Sequence, residues 1–254
     1  MASLVHLAIA QFRPRKADYQ ANLARLRDLF VQVDGLTPRP TVLCLPETAL
    51  TGYFLEGGVR DVALTAGALA RDLQRAYMDR ITSGATLDVM LGFYEEWRHR
   101  LFNSAMYVTL GGPEPVIHHV HRKVFLPTYG LFDEERFVDR GRDVRAFETP
   151  WGKAAMLVCE DVWHSLTPSI AALDGAQLIF VPTAPPARGA WPKHDGVPGP
   201  ASMSRWERLA RDIADEHGVY VALVHLSGSE GGKLFPGQSM VAGPRGEVRA
   251  RGML

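Results

Sequence analysis

Cysteine and lysine are scarce in this chain, net charge is absent, and no apolar run is long. Its 254 residues hold two cysteines, Cys44 and Cys159. Two thiols so far apart in a medium-sized chain read as free thiols rather than a disulfide framework. Only five of the 28 basic residues are lysines (16, 123, 153, 193 and 233), and 28 acidic residues balance the basic ones. Zero formal charge leaves no electrostatic footprint for nucleic acid or for an anionic membrane. No apolar run reaches the length of a membrane span. Met1–Ala10 lacks a charged n-region and is too short for an apolar core with a cleavage site, so a cytoplasmic protein is expected. No repeat, low-complexity tract or linker interrupts the chain, and residues 1–254 are expected to form one domain.

Several familiar chemistries are missing as well. Gly228–Lys233 mimics a phosphate loop, but its glycine spacing is wrong and Leu234 replaces the hydroxyl residue. It reads as a flexible loop after a strand. Ser239 lacks the closing glycine of a nucleophile elbow, since Val241 stands there, which argues against serine hydrolase chemistry. His118, His119 and His121 have no carboxylate or Cys at ligand spacing, so no metal site is expected.

What is present is alternation. Apolar runs at Leu4–Ala10, Thr41–Leu45, Leu87–Tyr94, Ala154–Val158, Leu178–Val181 and Val219–His225 read as strands. Between them, Asp18–Val33, Asp61–Tyr77, Thr167–Leu173 and Ser202–His217 carry helical spacing, with Asp18 as N-cap and Gly218 as a stop. Ala105–Leu110 and Pro115–Val120 read as a hairpin closed by Gly111-Gly112, and two strands follow at Gln238–Ala242 and Glu247–Ala250. This is an α/β pattern. Pro182–Pro200 reads as a long irregular loop, where binding residues concentrate.

Three predicted strands run into reactive side chains, namely Glu47, Lys123 and Cys159. Strand ends are where α/β sheets place their ligands, and these three could converge on one side of a sheet. A thiol there is either a small core residue or a nucleophile. A glutamate and a lysine after strands are, taken singly, ordinary surface residues. Together the types suit one chemistry. A carboxylate takes the thiol proton, the thiolate attacks, and a cation with backbone N–H groups holds the oxyanion.

The sequence around these residues resembles the nitrilase superfamily of carbon–nitrogen hydrolases. Leu45-Pro46-Glu47-Thr48-Ala49-Leu50-Thr51-Gly52-Tyr53, His121-Arg122-Lys123-Val124-Phe125-Leu126-Pro127 and Leu157-Val158-Cys159-Glu160-Asp161-Val162-Trp163 are similar to its three signatures, in family order. The resemblance implies a four-layer α-β-β-α sandwich. It implies Glu47 as general acid/base, Lys123 as oxyanion-stabilising lysine and Cys159 as nucleophile. It also implies Glu134 as a second glutamate, with Glu135 the competing assignment. The Glu160 N–H would join the oxyanion contacts. Tyr53, Glu95, Glu160 and Trp163 are expected substrate-binding residues, with Phe54, Trp97 and Trp191 as further pocket walls. For the aromatics, core burial is as good a reading. No metal or organic cofactor is required.

A small linear amide is the expected substrate, since the Cys159–Trp163 stretch is most similar to glutamine-amide-hydrolysing members. Two other readings stay open: a glutaminase subunit feeding ammonia to a partner synthetase, and a silent scaffold. Nitriles and carbamoyl amines are alternative substrates. Members of the family assemble as homodimers or larger homo-oligomers, and this chain is expected to do so. It ends at Arg251-Gly252-Met253-Leu254, where relatives continue through a further strand, helix and tail, so these are expected to be missing.

Overall fold

The computed structural model of the chain describes residues 4–189 and 199–253. Two sheets organise it. The first has five strands in sequence order, β1 (Leu7–Ile9), β2 (Val42–Cys44), β3 (Leu87–Trp97), β4 (Arg100–Leu110) and β5 (Val116–Arg122). β1–β2–β3 pair in parallel, and β3–β4–β5 antiparallel. The second contains β6 (Ala146–Thr149), β7 (Gly152–Met156), β8 (Leu178–Thr183) and β9 (Tyr220–His225). A separate hairpin, β10 (Ser227–Glu230) with β11 (Lys233–Pro236), leads to β12 (Met240–Ala242) and β13 (Val248–Arg251). The order of the second sheet is β13-β12-β9-β8-β7-β6, parallel at its centre.

Side-chain alternation makes the layers. On β3, Val89, Leu91 and Phe93 join α1 (Tyr19–Asp34) and α3 (Ala66–Met78) in one core, while Met90 faces the other way. On β7 and β8, Ala155, Ile179 and Val181 pack with α4 (Leu166–Leu173) and α5 (Ala201–His217). Their neighbours Ala154, Met156 and Phe180 meet Val42, Cys44, Met90, Ala105 and Tyr107 of the first sheet. The order is therefore helix, sheet, sheet, helix, the α-β-β-α sandwich. Strands covered on both faces carry continuous apolar runs, which is why they stood out in the sequence.

Helix boundaries follow local chemistry. The Asp18 side chain accepts from the Ala21 N–H and starts α1, and Gly218 ends α5 in the left-handed conformation. The stretch predicted as one helix over Asp61–Tyr77 is broken. A short α2 (Val59–Val62) stops before α3, because Leu64 bridges to Glu95 on β3 and Thr65 caps Ala68. The Gly228–Lys233 region, read as a loop, is the β10–β11 hairpin, turning at Gly231-Gly232 with both φ positive. Among the described residues no helix is long and apolar enough to cross a membrane.

Candidate active site

Glu47 follows β2 where the chain lies almost on β3. The Gly92 N–H donates to the Pro46 carbonyl (3.0 Å) and the Ala49 N–H to that of Gly92 (3.1 Å). A Cβ at Gly92 would stand 2.5 Å from the Cα of Glu47, so only glycine fits. Gly92→Ala is expected to destabilise the fold by about 1–3 kcal/mol, read from denaturant unfolding, because backbone cannot yield there.

Lys123 follows β5, its N–H donating to the Asn103 carbonyl on β4 at 2.9 Å. It is fully buried. Its Nζ donates to Glu47 Oε1 at 2.9 Å and to Glu134 Oε1 at 2.7 Å. Burial works against its charge, but Glu134 and Glu47 more than offset that and hold the ammonium well above the ordinary lysine range. One cation between two carboxylates leaves excess negative charge in a dry place. Burial accordingly pushes the Glu134 carboxyl upward, against the pull of Lys123. The Tyr53 hydroxyl donates to the same Glu134 oxygen. Glu135, the competing residue, is exposed and pairs with Arg140.

Cys159 opens a 3₁₀ turn just beyond β7, in the second sheet, so the three strand-end residues come from two facing sheets and not from one. It is half-buried, with φ at +48°, a left-handed value that strains any residue but glycine. Burial raises its thiol well above the ordinary range, and Glu47 adds to this. Lys123 and a hydrogen bond with the backbone of Ala184 pull the other way without prevailing. The resting side chain is a thiol.

The other predicted residues divide. Tyr53 is buried against Glu134. The Glu160 side chain accepts from the Tyr129 hydroxyl at 2.8 Å and lies 3.6 Å from His164. Trp163 is half-buried, edge-on to Trp206 at 4.9 Å. The Glu95 carboxylate is taken up by Ser104 (2.8 Å) and Arg122 (2.7 Å), while Arg122 stacks on Trp97. Trp191 lies outside the described residues, as does part of the 182–200 loop. Phe54 and Tyr53 line a cavity of about 230 Å³ that reaches Glu134 and is walled by Tyr94, Phe132 and Phe137. Among the described residues no group of three or more His, Cys, Asp or Glu side chains is placed to hold a metal ion.

Residues that the sequence did not single out complete the arrangement. Asn103 Nδ2 donates to Glu47 Oε1 at 2.7 Å. Glu230, on the hairpin, accepts the N–H groups of Tyr53 (2.9 Å) and Phe54 (3.1 Å). A Cβ at Gly52 would strike that carboxylate at 2.7 Å, so this glycine makes its cradle. Burial raises the Glu230 carboxyl. Glu230 thus fixes Tyr53, Tyr53 fixes Glu134, and Glu134 fixes Lys123. No local signal marks Glu230, which lies 177 residues from Tyr53. The cluster can move a proton from a thiol to a carboxylate and hold developing negative charge beside an ammonium.

The family described as carbon–nitrogen hydrolase matches the chain over residues 6–252. The glutamine-dependent NAD(+) synthetase of Thermotoga maritima is 28% identical over 254 residues, 98% of this chain and 40% of that protein. A probable nitrilase of Schizosaccharomyces pombe is 26% identical over 251 residues, 96% of this chain and 82% of that one. Among solved structures, an amidase from Nesterenkonia sp. superposes with TM-score 0.79 at 24% identity, over 100% of this chain and 88% of the other. The glutamine-dependent NAD+ synthetase of Acinetobacter baumannii gives 0.80 at 21% identity, over 98% and 43%. The chain thus spans about two-fifths of the synthetases it matches.

Proposed function

The chain belongs to the carbon–nitrogen hydrolase family, and we propose that it hydrolyses small linear amides, primary ones above all, through a thioester on Cys159. Buried oxygens around Lys123 carry this reading. Glu47 Oε2, Glu134 Oε2 and Asn103 Oδ1 have no hydrogen-bond partner among the described residues, while their sister atoms bind one another and Lys123. A primary amide brings an NH₂ with two donors for such oxygens. A nitrile nitrogen only accepts and would leave Glu134 Oε2 and Asn103 Oδ1 orphaned, at roughly 1–3 kcal/mol apiece.

In this mechanism Glu47 takes the Sγ proton as sulfur attacks the amide carbon. The oxyanion forms beside Lys123 Nζ and the Glu160 N–H. Collapse breaks the C–N bond, and the proton held by Glu47 leaves with the nitrogen as ammonia. Water then gives a proton to Glu47 and adds to the thioester. A second collapse frees the carboxylic acid and returns the proton to sulfur. Glu134 and Tyr53 orient Lys123.

Ammonia release from matched sets of primary amides, N-substituted amides, carbamoyl amines and nitriles tests the proposal. Turnover is expected from the primary amides and not from the nitriles. Faster release from nitriles than from their matching amides overturns it. Glutamine belongs in the panel, since the Thermotoga relative is named as glutamine-dependent and the side chain of glutamine ends in a primary amide. A partner synthetase receiving the ammonia would co-purify with the chain, which separates that second reading from a stand-alone amidase.

A further inference from the structure

Resting on that reading, the geometry points to Asp161 as the positioning residue that sets the distance between Cys159 and Lys123. The two groups arrive from different sheets, and the layer between the sheets is apolar. Apolar packing is non-directional and does not hold two reacting groups in register by itself. Asp161 adds direction. It is fully buried. Its Oδ1 accepts the N–H groups of Val124 and Phe125, both at 2.9 Å. Its Oδ2 accepts the N–H of Val158 and the Nε2–H of His121, again both at 2.9 Å.

Those donors flank the reacting residues. Val124 follows Lys123, His121 stands two before it, and Val158 immediately precedes Cys159. Two oxygens with about four acceptor sites thus meet four donors, so the carboxylate is saturated. The Asp161 carbonyl is tied in turn by the Thr167 hydroxyl at 2.6 Å, linking the turn to α4. Among the described residues Asp161 makes no hydrogen bond to Glu47 or to the thiol, and it acts through the backbone on each side. It also gives His121 a purpose, since this buried imidazole donates to the strut rather than to a substrate. Reacting atoms must approach within about 3–3.5 Å, and a displacement of about 1 Å lowers rates roughly 10²-fold.

Asp161→Asn keeps the shape but puts an NH₂ against two of the four donors. The expected result is a fall in kcat of about 10²-fold with KM little changed. Iodoacetamide should still titrate one Cys159 per molecule, with its pH profile moved to higher pH. The shift is upward because displacement of Lys123, which lowers the thiol pKa against Glu47 and Glu134, outweighs loss of the Asp161 charge, whose own pull on the thiol is smaller than theirs. His121→Gln, whose Nε2 also donates, should stay close to the wild-type profile, and His121→Leu should follow Asp161→Asn. Wild-type kcat per titrated thiol together with an unmoved profile in Asp161→Asn overturns the proposal. Should that variant not fold, an unmoved profile in His121→Leu overturns it equally. The alkylation profile needs no substrate, so it stands apart from the hydrolase reading, which fails separately if the wild-type protein turns over no amide.

Discussion

Cys159→Ala is expected to abolish ammonia release while leaving the fold intact. In the proposed mechanism the sulfur forms the acyl intermediate, and loss of a nucleophile acting within a catalytic unit lowers kcat on the order of 10⁴–10⁶-fold. The structural effect is small. Cys159 is half-buried, and alanine meets the same left-handed backbone that cysteine already occupies. Melting temperature should therefore barely change, and this separates loss of chemistry from loss of structure. Measurable release by the alanine variant would remove the thioester from the mechanism. The raised thiol pKa adds a sign to the wild-type behaviour. Without substrate, alkylation of Cys159 should accelerate only as pH passes above the ordinary thiol range.

Lys123→Met should damage both stability and turnover. The ammonium is fully buried between Glu47 and Glu134, and its removal leaves two carboxylates in a dry site without a cation. Breaking a buried ion pair destabilises by about 3–5 kcal/mol, and here two partners are orphaned. The pH dependence follows from the direction of the carboxyl shift. Glu134 is already raised by burial, and losing Lys123 raises it further. A folded-state pKa above the unfolded one means that the folded chain binds the extra proton. Stability is then fully present below the unfolded carboxyl pKa and is lost as pH rises through the folded one. Thermal melts of the variant should improve relative to wild type from neutrality toward about pH 5. Equal stability of the two proteins at neutral pH would contradict the buried-pair reading. Turnover should fall by a further 10²–10³-fold or so from the missing oxyanion contact.

Much of this was legible in the sequence, for a physical reason. Strands covered on both faces are written as apolar runs, and Glu47 and Cys159 each punctuate the end of one, while Lys123 follows the half-exposed, histidine-rich β5. Periodicity does not say which strands share a sheet, so placing all three on one sheet missed the facing arrangement. The break at Ala63–Thr65 was hidden because it depends on Leu64 pairing with β3. The turn between β3 and β4 uses Arg98 and His99 at positive φ, without the glycine or asparagine that usually announces it. Asn103, Glu230 and Asp161 gain their positions only through contacts between distant segments. Glu95, expected among the substrate-binding residues, is likewise held by Arg122 and Ser104, partners that its sequence neighbourhood does not announce.

The left-handed backbone at Cys159 has a consequence for how such a chain drifts over generations. An L-residue there is strained by roughly 1–2 kcal/mol relative to glycine, and Thr48, beside Glu47, sits at a similar φ of +49°. A lineage released from its reaction and selected only for folding would be rewarded for replacing these residues, since stabilising changes lie close at hand in most proteins. Glycine has reached neither position. Glycine at position 159 would ease the backbone and remove the thiol in the same change, so the strain there is inseparable from the side chain that the proposed chemistry needs.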